Sequence, residues 1–518
     1  MDTQLVWFKR DLRVNDHRPL TEALRHGPTM AFYLFEPDYL TQPETTTSHL
    51  GFIRDCLVEL SDELHRLRIP FIIRRSDIIS ALNQFKTDHT FSTLWSHEET
   101  GAAWSYERDR SVARWCKSTG TAWREYSQFG IARPHPTRNG WAKRWGVQMN
   151  STELPVPKPQ SHNYGRDIEK VPELRDLGIS GELKAEQQRG GATAARETVH
   201  SFLRCRGEHY QSGMSSPVTA WEQCSRVSPH LAYGSLSMRW LNHRTVERKN
   251  YLKEEKRRGR SIGPHWLKSL TSYEKRLRWH CHFMQKLEDQ PTLEHENMAR
   301  IYDGLRPEPP TSDLFDAYCA GLTGYPMVDA CIRALKATGW LNFRMRAMLV
   351  SFSSYHLWLP WQPTALFLAR HFLDFEPGIH YPQVQMQSGT TGINTLRIYS
   401  PQKQVIDNDP QGRFIRAWVP ELANLPDEYL HRPETLPSQL GLSLGITIGK
   451  TYPEPIVDHQ DASKSARRAI FRLRRSPEAR KEAQAVFVKH GSRKRNKGRK
   501  KTQVPNHQLE LLGPNSSI

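Results

Sequence analysis

The sequence predicts two structural classes in one chain: an α/β N-terminal half built on a doubly wound parallel sheet, and an all-α C-terminal half. Over the first 130 residues, short β-branched and aromatic segments alternate with longer amphipathic segments. From about residue 196 to 485 this alternation stops, and helical segments separated by Pro- and Gly-marked turns replace it. Strands that alternate with helices are typical of a parallel sheet, whereas helices alone indicate a helical domain.

Five segments of the first 130 residues have the composition of strands: LVWF (5–8), MAFYLF (30–35), FIIRR (71–75), TLWS (93–96) and AWREY (122–126). The intervening segments, such as residues 49–67, have the polar–apolar period of a helix. This order predicts parallel strands joined by helical crossovers. No G-x-G-x-x-G follows the first strand, which argues against a nicotinamide-type dinucleotide site.

The C-terminal half contains segments of helical length and period: residues 195–210, 272–289, 326–340, 344–359 and 461–474. Residues 131–200 are rich in Pro, charged and polar side chains, which is typical of a connector between domains. The last thirty residues are low in apolar content. We therefore predict four parts: an α/β domain (1–130), a connector (131–200), a helical domain (201–485) and a basic disordered tail (486–518).

The composition excludes several classes of protein. With 518 residues, 37% hydrophobic residues and 15 Trp, the chain can form two or three folded domains. It has no run of eighteen apolar residues and no leader pattern at its start, so we expect a cytoplasmic protein without a membrane segment. The seven Cys are scattered without a C-x-x-C pair, which argues against disulfides, a zinc ribbon and an iron–sulfur site. We expect a monomer without a bound metal.

The formal net charge of +18 favours a polyanionic partner. The stretch from Lys489 to Lys501 contains eight basic residues and no acidic ones: Lys489, Arg493, Lys494, Arg495, Lys497, Arg499, Lys500 and Lys501. Without those eight, the chain still carries +10 (18 less 8). Because Lys and Arg displace counterions from phosphates, a nucleic acid is the partner that this charge indicates. A solvated basic surface with a disordered tail is the alternative.

Three clusters in the helical half have compositions suited to ligand binding. Residues 224–237 (CSRVSPHLAYGSLS) are rich in hydroxyl side chains and Gly, which suits donation to phosphate, although a plain helix cap is the commoner explanation. Arg344 and Arg346 lie on an otherwise apolar helix and need anionic partners, since unpaired buried charge is costly. In residues 276–283 (RLRWHCHF), Trp279 lies between cations and could stack on a flat ligand or pack in the core.

The fourth cluster is DFEPGIHYPQ (374–383), followed by SGTTGINTLRIYSPQKQ (388–404). Asp374, Glu376 and His380 could hold a metal, carry out acid–base chemistry or contact the polar edge of a cofactor. Pro and Gly interrupt any regular spacing of these groups. We therefore expect a loop, and a metal-dependent hydrolase is the least favoured function.

Taken in order over residues 3–480, these motifs resemble the photolyase/cryptochrome family. The resemblance rests on VWFKRDLRVNDH, SRVSPHLAYGSLS, TGYPMVDACIRAL, GWLNFRMR, LDFEPG, RIYSP and FIRAWVPEL. It implies a helical domain that binds FAD and an α/β domain that can hold a light-harvesting antenna, either a folate, a deazaflavin or another chromophore. Residues 97–104 (HEETGAAW) lie near a strand end where an antenna could bind, although a plain loop is the simpler explanation.

The resemblance also implies which residues surround the FAD. One tyrosine and a short segment would contact the diphosphate: Tyr210, Cys224, Ser225, Arg226, Val227 and Ser228. Arg346 would pair with Asp374 beside the flavin ring, Arg344 would lie on the same helix, and Glu376 would touch the ring edge. His380 would face the reactive ring nitrogen, where many photolyases carry Asn, and would make the redox behaviour of the flavin pH-dependent.

The family's repair site is only partly retained. Trp279 matches the tryptophan that stacks on the DNA lesion, but Arg276 stands where a glutamate is usual. The predicted catalytic positions are Trp279, Arg276 and His380. Val384 stands where the flavin-proximal tryptophan of an electron relay is usual, while Trp361 matches the middle member. Other rings are therefore expected to complete the relay, and the candidates are Trp340, Trp358 and Tyr399.

The resemblance implies light-driven repair of UV-damaged DNA. Reduced FAD, excited by blue light, would donate an electron to a flipped-out pyrimidine dimer, and the electron would return after the dimer splits. We predict a deoxyribodipyrimidine photolyase that favours cyclobutane dimers. The altered Arg276 position and relay favour the alternative, a cryptochrome-like photoreceptor that binds FAD without repair. A nucleic-acid-binding protein without enzymatic activity would explain the charge but not the flavin motifs.

Overall fold

The N-terminal half contains a five-stranded parallel sheet. In this computed structural model, which describes residues 2–133, 137–162, 170–307 and 313–491, the strands are β1 (Thr3–Phe8), β2 (Thr29–Phe35), β3 (Phe71–Arg75), β4 (Phe91–His97) and β5 (Ala122–Tyr126). Their order is β3-β2-β1-β4-β5, and Val6 of β1 pairs with Ala31 on one side and Trp95 on the other. The predicted doubly wound sheet and its five strands are confirmed.

Helices cover both faces of the sheet: α1 (Arg18–His26), α2 (Pro37–Leu40), α3 (Thr47–Arg66), α4 (Ile78–Asp88) and α5 (Ala103–Thr119). Val6 and Phe8 belong to one buried cluster, while Leu5 and Trp7 belong to another. Side chains that alternate along a strand point to opposite faces of the sheet. The near-continuous burial of β1 and β2 is therefore what a sheet between two helical layers requires.

The predicted connector is partly helical. It contains α6 (Trp141–Met149) and the start of α7 (Ala192–Arg204). Gln160 exchanges two hydrogen bonds with the backbone of Thr29: the Thr29 N–H donates to Gln160 Oε1 at 2.9 Å, and Gln160 Nε2 donates to the Thr29 carbonyl oxygen at 3.1 Å. The connector is thereby attached to the first residue of β2.

The C-terminal half consists mainly of helices. After α7 they are α8 (Tyr210–Gly213), α9 (Pro217–Gln223), α10 (Ser228–Ala232), α11 (Met238–Arg257), α12 (Trp266–Asp289), α13 (Asp313–Ala320), α14 (Pro326–Thr338), α15 (Phe343–Ser351), α16 (Trp361–His371), α17 (Pro377–Ser388), α18 (Pro401–Asn408), α19 (Arg413–Trp418), α20 (Ser438–Leu444), α21 (His459–Arg474) and α22 (Pro477–His490). A π-helical turn, Phe352–His356, follows α15. Among the residues described, no helix is long and apolar enough to cross a bilayer.

The last helix extends into the stretch that we predicted to be disordered. We predicted disorder from residue 486, but α22 continues to His490, whose Nε2 lies 2.8 Å from Gln290 Oε1. Val486 and His490 are buried, and this packing orders the last turn of the helix. The basic residues from Arg493 to Lys501 lie outside the described residues.

The stretch 374–383 is only partly the loop that we predicted. α17 begins at Pro377, because the first helical position tolerates a residue without an N–H. Gly378 allows α17 to approach α12 closely, since a Cβ at this position would lie 2.9 Å from Met284 Cα. Asp374 and Glu376 therefore precede the helix, whereas His380 lies within its first turns.

The segment after β1 joins the two halves of the molecule. Arg10 Nε donates to the carbonyl oxygen of Ala232 at 2.8 Å, and Arg13 Nη1 donates to that of Gly234 at 2.8 Å. Gly234 has φ +71°, and a Cβ there would lie 2.2 Å from the Arg10 carbonyl oxygen, so only glycine fits. The motif VWFKRDLRVNDH thus brings the end of β1 against the helical half.

Candidate functional site

Arg346 and Asp374 form a two-point ion pair. Arg346 Nη1 and Nη2 each lie 2.9 Å from one carboxylate oxygen of Asp374, and Arg346 Nε donates to the carbonyl oxygen of Leu341 at 2.7 Å. The guanidinium also lies over the ring of Phe372, 4.0 Å from its centroid. These contacts fix both side chains, because a parallel fork is the strongest geometry between Arg and a carboxylate. The expected pair is present, and its place beside a flavin ring stays a prediction.

Glu376 contacts the N-terminal half through Arg10. Its Oε2 lies 3.7 Å from Arg10 Nη2, and the same guanidinium donates to the carbonyl oxygen of Phe375 at 2.7 Å. Burial raises the pKa of Glu376 to about 7, and the Arg10 charge offsets only part of this effect. The carboxyl group can therefore exchange a proton near neutral pH. Sequence reasoning gave Arg10 no role, although the residue lies in the first motif.

His380 is held as a neutral imidazole. Its Nε2 lies 2.9 Å from the carbonyl oxygen of Ala365, so Nε2 carries the hydrogen and Nδ1 is the acceptor. Burial lowers the pKa of His380 to about 4. A neutral imidazole at physiological pH argues against the expected pH-dependent redox behaviour, and the place of His380 at the flavin stays a prediction. Asp374, Glu376 and His380 each have a different partner, so the three groups do not converge on a metal.

The predicted phosphate-binding segment, residues 224–228, lies between α9 and α10. Arg206 fixes its backbone by donating to the carbonyl oxygens of Cys224 at 2.6 Å and Ser225 at 3.4 Å. Arg226 has φ +59°, an unfavourable left-handed conformation for a residue with a side chain. Sequence reasoning missed Arg206, which lies eighteen residues before the segment that it holds.

Arg226 and Arg344 have no carboxylate partner among the described residues. Arg226 lies over the ring of Trp221, 3.3 Å from its centroid, and 5.5 Å from that of Trp340. The Nε atoms of Arg226 and Arg344 are both buried without a hydrogen-bond partner. Burial lowers the pKa of Arg226 to about 10. Because an unsatisfied buried donor is costly, these two Nε groups favour an anionic ligand.

The thiol of Cys224 lies within the electrostatic influence of several arginines. Burial raises the pKa of its thiol to about 12, and four guanidinium charges act in the opposite direction: Arg206, Arg276, Arg226 and Arg346. Val227 is buried and Ser228 begins α10. Cations from segments that are distant in the sequence therefore act electrostatically on one small side chain. This set of cations and unsatisfied donors fits a diphosphate.

Tyr210 and Arg276 are hydrogen-bonded to each other on the approach to this segment. Burial raises the pKa of Tyr210 to about 12, and its ring packs edge-on against Tyr273 at 5.5 Å. Arg276 Nη2 also lies 3.7 Å from Met214 Sδ. The position where the family usually carries a glutamate is therefore filled by a cation that contacts the wall of the site.

Trp279 is half-buried on α12, close to the contact between α12 and α17. Its ring packs edge-on against His282 at 4.8 Å and lies 5.7 Å from Phe283. Met284, further along the same helix, touches Gly378. A partly exposed indole is thus held near the start of the helix that carries His380.

Trp361 is the only predicted relay ring that packs against an aromatic residue of α17 within the described chain. Its ring lies 6.3 Å from that of Tyr381, and its Nε1 donates to Asn297 Oδ1 at 2.8 Å. The Tyr381 hydroxyl donates to the carboxylate of Glu44. Tyr381 was missed because an aromatic residue in a presumed loop gave no signal of its own. Val384, at the usual relay position, is buried and apolar.

The other predicted relay rings lie elsewhere. Trp340 packs edge-on against Trp221 at 5.7 Å, Trp358 lies beside Arg306, and Tyr399 is buried. In the part of the chain that the structure describes, the four predicted rings do not pack against one another. They therefore do not form one continuous chain of aromatic contacts.

A cavity lies at the carboxyl ends of β1 and β2. The helical half contributes Phe375 and Pro377 to its lining. Arg108 donates to Glu36 at 2.9 Å and to Glu99 at 2.8 Å beside this cavity. Glu99, Ala102 and Trp104 of the segment HEETGAAW also line it. Crevices at the carboxyl ends of parallel strands are common ligand sites, but whether this one holds an antenna stays a prediction.

Asp11, His17 and His97 form a buried hydrogen-bonded network behind the cavity. His17 Nε2 lies 2.8 Å and His97 Nδ1 2.7 Å from Asp11 Oδ2. His17 Nδ1 accepts the N–H of Leu20, so Nε2 carries its hydrogen and donates to Asp11. Burial lowers the pKa of His97 to about 3 and that of His17 below its usual value. A carboxylate that accepts from two neutral imidazoles explains the cluster without a metal.

Comparisons with known proteins match both halves of this architecture. The family described as the FAD-binding domain of DNA photolyase matches residues 273–472, and the DNA photolyase family matches residues 4–140. The chain belongs to the photolyase/cryptochrome family. Its helical half is an FAD-binding domain of the photolyase type, so FAD is its cofactor.

Individual members of the family carry both kinds of name. The chain is 27% identical to a deoxyribodipyrimidine photo-lyase of Vibrio cholerae, over 91% of this chain and 98% of the relative. It is 26% identical to a cryptochrome DASH of Gloeobacter violaceus, over 90% and 95%. The structure of a class III photolyase from Agrobacterium tumefaciens superimposes with a TM-score of 0.78 at 23% identity, covering 92% of this chain and 98% of that one. The last similarity concerns the fold alone.

Proposed function

We propose that the protein is a blue-light-driven photolyase that splits cyclobutane pyrimidine dimers in DNA. Trp279 supports this function best, since it offers a half-exposed indole on the helix that contacts α17. A flat aromatic surface suits a base that has left the stack, and a pyrimidine dimer leaves the stack at low cost. The net charge of +18 favours attachment to the DNA backbone.

The proposal gives each residue of the candidate site a role. Cys224, Ser225, Val227 and Ser228 surround the FAD diphosphate together with Tyr210, while Arg226 and Arg344 supply the charge that matches it. Arg346, fixed by Asp374, stabilises negative charge near the flavin ring. Glu376 places its carboxyl group at the ring edge. His380 keeps its hydrogen on Nε2, which leaves Nδ1 as an acceptor. Bound FAD supplies the light-driven electron that opens the dimer.

The same proposal assigns the supply of electrons to Tyr381 and Trp361. Tyr381 can give up an electron because Glu44 is hydrogen-bonded to its hydroxyl and can take the proton. Trp361, with its ring 6.3 Å away, can then return an electron to Tyr381 while the proton moves back from Glu44. Trp361 and Asn297 also line a surface cleft, and because the indole is only 2% exposed, a thiol reductant in the cleft would return the electron across a short gap and not by direct contact.

The alternative function, a cryptochrome-like photoreceptor, is favoured by one observation. Arg276 occupies the position of the usual glutamate and is hydrogen-bonded to Tyr210. A cation cannot accept the hydrogen bond that a carboxylate would receive from a lesion base. FAD would then be bound, but repair would be lost.

Illumination of the purified protein with damaged DNA separates these functions. We expect a flavin spectrum, and repair of oligonucleotides with a cyclobutane dimer but not of those with a (6-4) lesion. In Trp279→Ala, flavin content should be kept while repair falls about 5- to 150-fold, since stacking on one base is worth about 1–3 kcal/mol. Bound flavin without repair of either lesion would establish the photoreceptor instead. A colourless protein that binds DNA would contradict both functions.

A further inference from the structure

A groove of about 870 Å³ lies between α21 and residues 352–358. Its lining includes two arginines, two serines and two aromatic residues: Tyr355, Trp358, Ser465, Arg468, Arg472 and Ser476. None of the residues proposed to surround the FAD or the lesion lines it. The groove is therefore a separate place where a ligand could bind.

The charge of the groove is positive and unbalanced. None of the residues that line it is acidic. Arg468 and Arg472 are exposed and four residues apart, so they lie on the same side of α21. Arg468 contacts Ser465 Oγ at 3.4 Å, and neither arginine forms an ion pair within the described residues. Two cations beside serine hydroxyls are suited to phosphate groups.

Trp358 gives the groove an aromatic wall under an unusual backbone constraint. It has φ +54°, a rare conformation for a bulky residue, and it follows the π-helical turn Phe352–His356. Strained residues and π-helical turns occur preferentially at functional sites. The guanidinium carbon of Arg306 lies 4.8 Å from the centroid of the indole and supports it. The half-buried ring is thus held in a defined place beside the two exposed arginines.

We propose that this groove binds single-stranded nucleic acid, with one base stacked on Trp358 and the neighbouring phosphates at Arg468 and Arg472. An aromatic platform beside a positive groove is the usual recognition of unpaired strands, because every base offers a flat face. A base within a duplex could not reach the indole. The proposal goes beyond the proposed function, since it involves neither the flavin nor a lesion.

Binding of undamaged oligonucleotides to the full-length holoprotein tests the proposal. Dye-labelled oligothymidylate and oligouridylate, followed by fluorescence anisotropy, distinguish DNA from RNA as the strand. The variant Arg468→Gln/Arg472→Gln should weaken binding at least tenfold. Because it removes about two phosphate contacts, the log of the affinity should depend less steeply on the log of the salt concentration. Its flavin content and dimer repair should stay as in the wild type. The matched control is Arg467→Gln/Arg480→Gln, which removes two exposed charges outside the groove.

Three further measurements complete the test. In Trp279→Ala, which alters the proposed lesion site, single-strand binding should persist. In Trp358→Leu, single-strand affinity should fall while affinity for an undamaged duplex is kept. If Trp358→Leu does not fold, the variant Arg468→Gln/Arg472→Gln still tests the proposal. Equal losses in the groove variant and in its control would overturn the proposal in favour of diffuse attraction. It would also be overturned if the groove variant lost binding to anionic phosphatidylserine vesicles while still binding both oligonucleotides.

Discussion

The cavity at the carboxyl ends of β1 and β2 and the site around Arg226 and Arg344 in the helical half differ in how their positive charges are neutralised. At the sheet edge, Arg108 donates to three carboxylates, those of Glu36, Glu99 and Asp109, at 2.8–2.9 Å. In the helical half, Arg226 and Arg344 have buried Nε atoms without any hydrogen-bond partner, and no ion pair within the described residues. In the first region the chain supplies the anionic partners, whereas in the second it leaves donors that an anion could accept from.

This difference has an energetic consequence. A buried cation that already has partners contributes to folding, and removal of it leaves carboxylates without compensation. A buried cation without partners lowers stability in the free protein and recovers that cost on binding. Substitutions in the first region should therefore change the free energy of unfolding, whereas those in the second should change cofactor affinity.

Arg108→Gln should have the largest effect. It leaves the buried carboxylates of Glu36 and Glu99 without their ion-pair partner, while Asp109 keeps Lys9 Nζ at 3.6 Å, and we expect the free energy of unfolding to fall by about 3–5 kcal/mol. Urea denaturation of the apoprotein measures this. Arg110→Gln is the control, because Arg110 is exposed and, within the described residues, its one ion pair is with Glu107, an interaction worth at most about 1 kcal/mol. Similar losses in both variants would show that the cluster around Arg108 is no stronger than a surface pair.

Glu376→Gln should change how stability depends on pH. Burial raises the pKa of Glu376 to about 7 in the folded protein, from 4.5 in the unfolded chain. Between these values the folded state holds a proton that the unfolded state has released, so stability falls as pH rises. By about pH 8 the wild type should have lost about 3 kcal/mol relative to the variant.

Denaturation of both apoproteins between about pH 4.5 and 8 checks this difference. Glu182→Gln, at an exposed position, serves as the control and should follow the wild type at every pH. Parallel curves for wild type and Glu376→Gln would mean that Arg10 compensates the carboxylate fully, which its distance of 3.7 Å does not favour.

Arg226→Gln should show the opposite pattern from Arg108→Gln. Hydrogen bonds to charged groups contribute about 1.5–3 kcal/mol, so the dissociation constant for FAD should rise about tenfold or more. The free energy of unfolding of the apoprotein should change by about 1 kcal/mol or less, since Arg226 loses its stacking on Trp221 but no ion pair among the described residues. Flavin titration and urea denaturation report the two quantities. Arg258→Gln, an exposed substitution directly after α11, should alter neither affinity nor stability by a measurable amount. Destabilisation without loss of affinity would contradict the proposed role of Arg226.

Tyr381 lies at the border between the two regions, since Glu44 lines the sheet cavity and accepts its hydroxyl proton. Tyr381→Phe removes the hydroxyl and keeps the ring, so electron supply should slow several-fold while flavin content is kept. Transient absorption should detect a tyrosyl radical in the wild type and not in the variant. Tyr318→Phe is the control for loss of a buried hydroxyl. An unchanged rate and radical signal in Tyr381→Phe would exclude this route.

The sequence was sufficient for the sheet, because five short apolar segments separated by amphipathic ones admit few other arrangements. It was also sufficient for the pair of Arg346 and Asp374, which depends on motifs. It did not indicate Arg10 or Arg206, because both act through backbone carbonyl groups of residues that are distant along the chain. The state of Glu376 and His380 could not be predicted either, since a pKa depends on burial and on partners that only the fold brings together.

His380→Asn should have the smallest effect on the pH dependence of the flavin. Burial lowers the pKa of His380 to about 4, and Nε2 is hydrogen-bonded to the carbonyl oxygen of Ala365. Wild type and variant both place a neutral group at this position above about pH 5.5, well above that pKa. The redox state that accumulates under light can differ between them, because amide and imidazole donate differently, but the difference should be the same at every pH from about 5.5 to 8. Visible spectra under constant illumination measure it. A difference that changes around pH 6.5 would show that the imidazole still titrates as it does in water, and that the burial seen here is relieved when the flavin is bound.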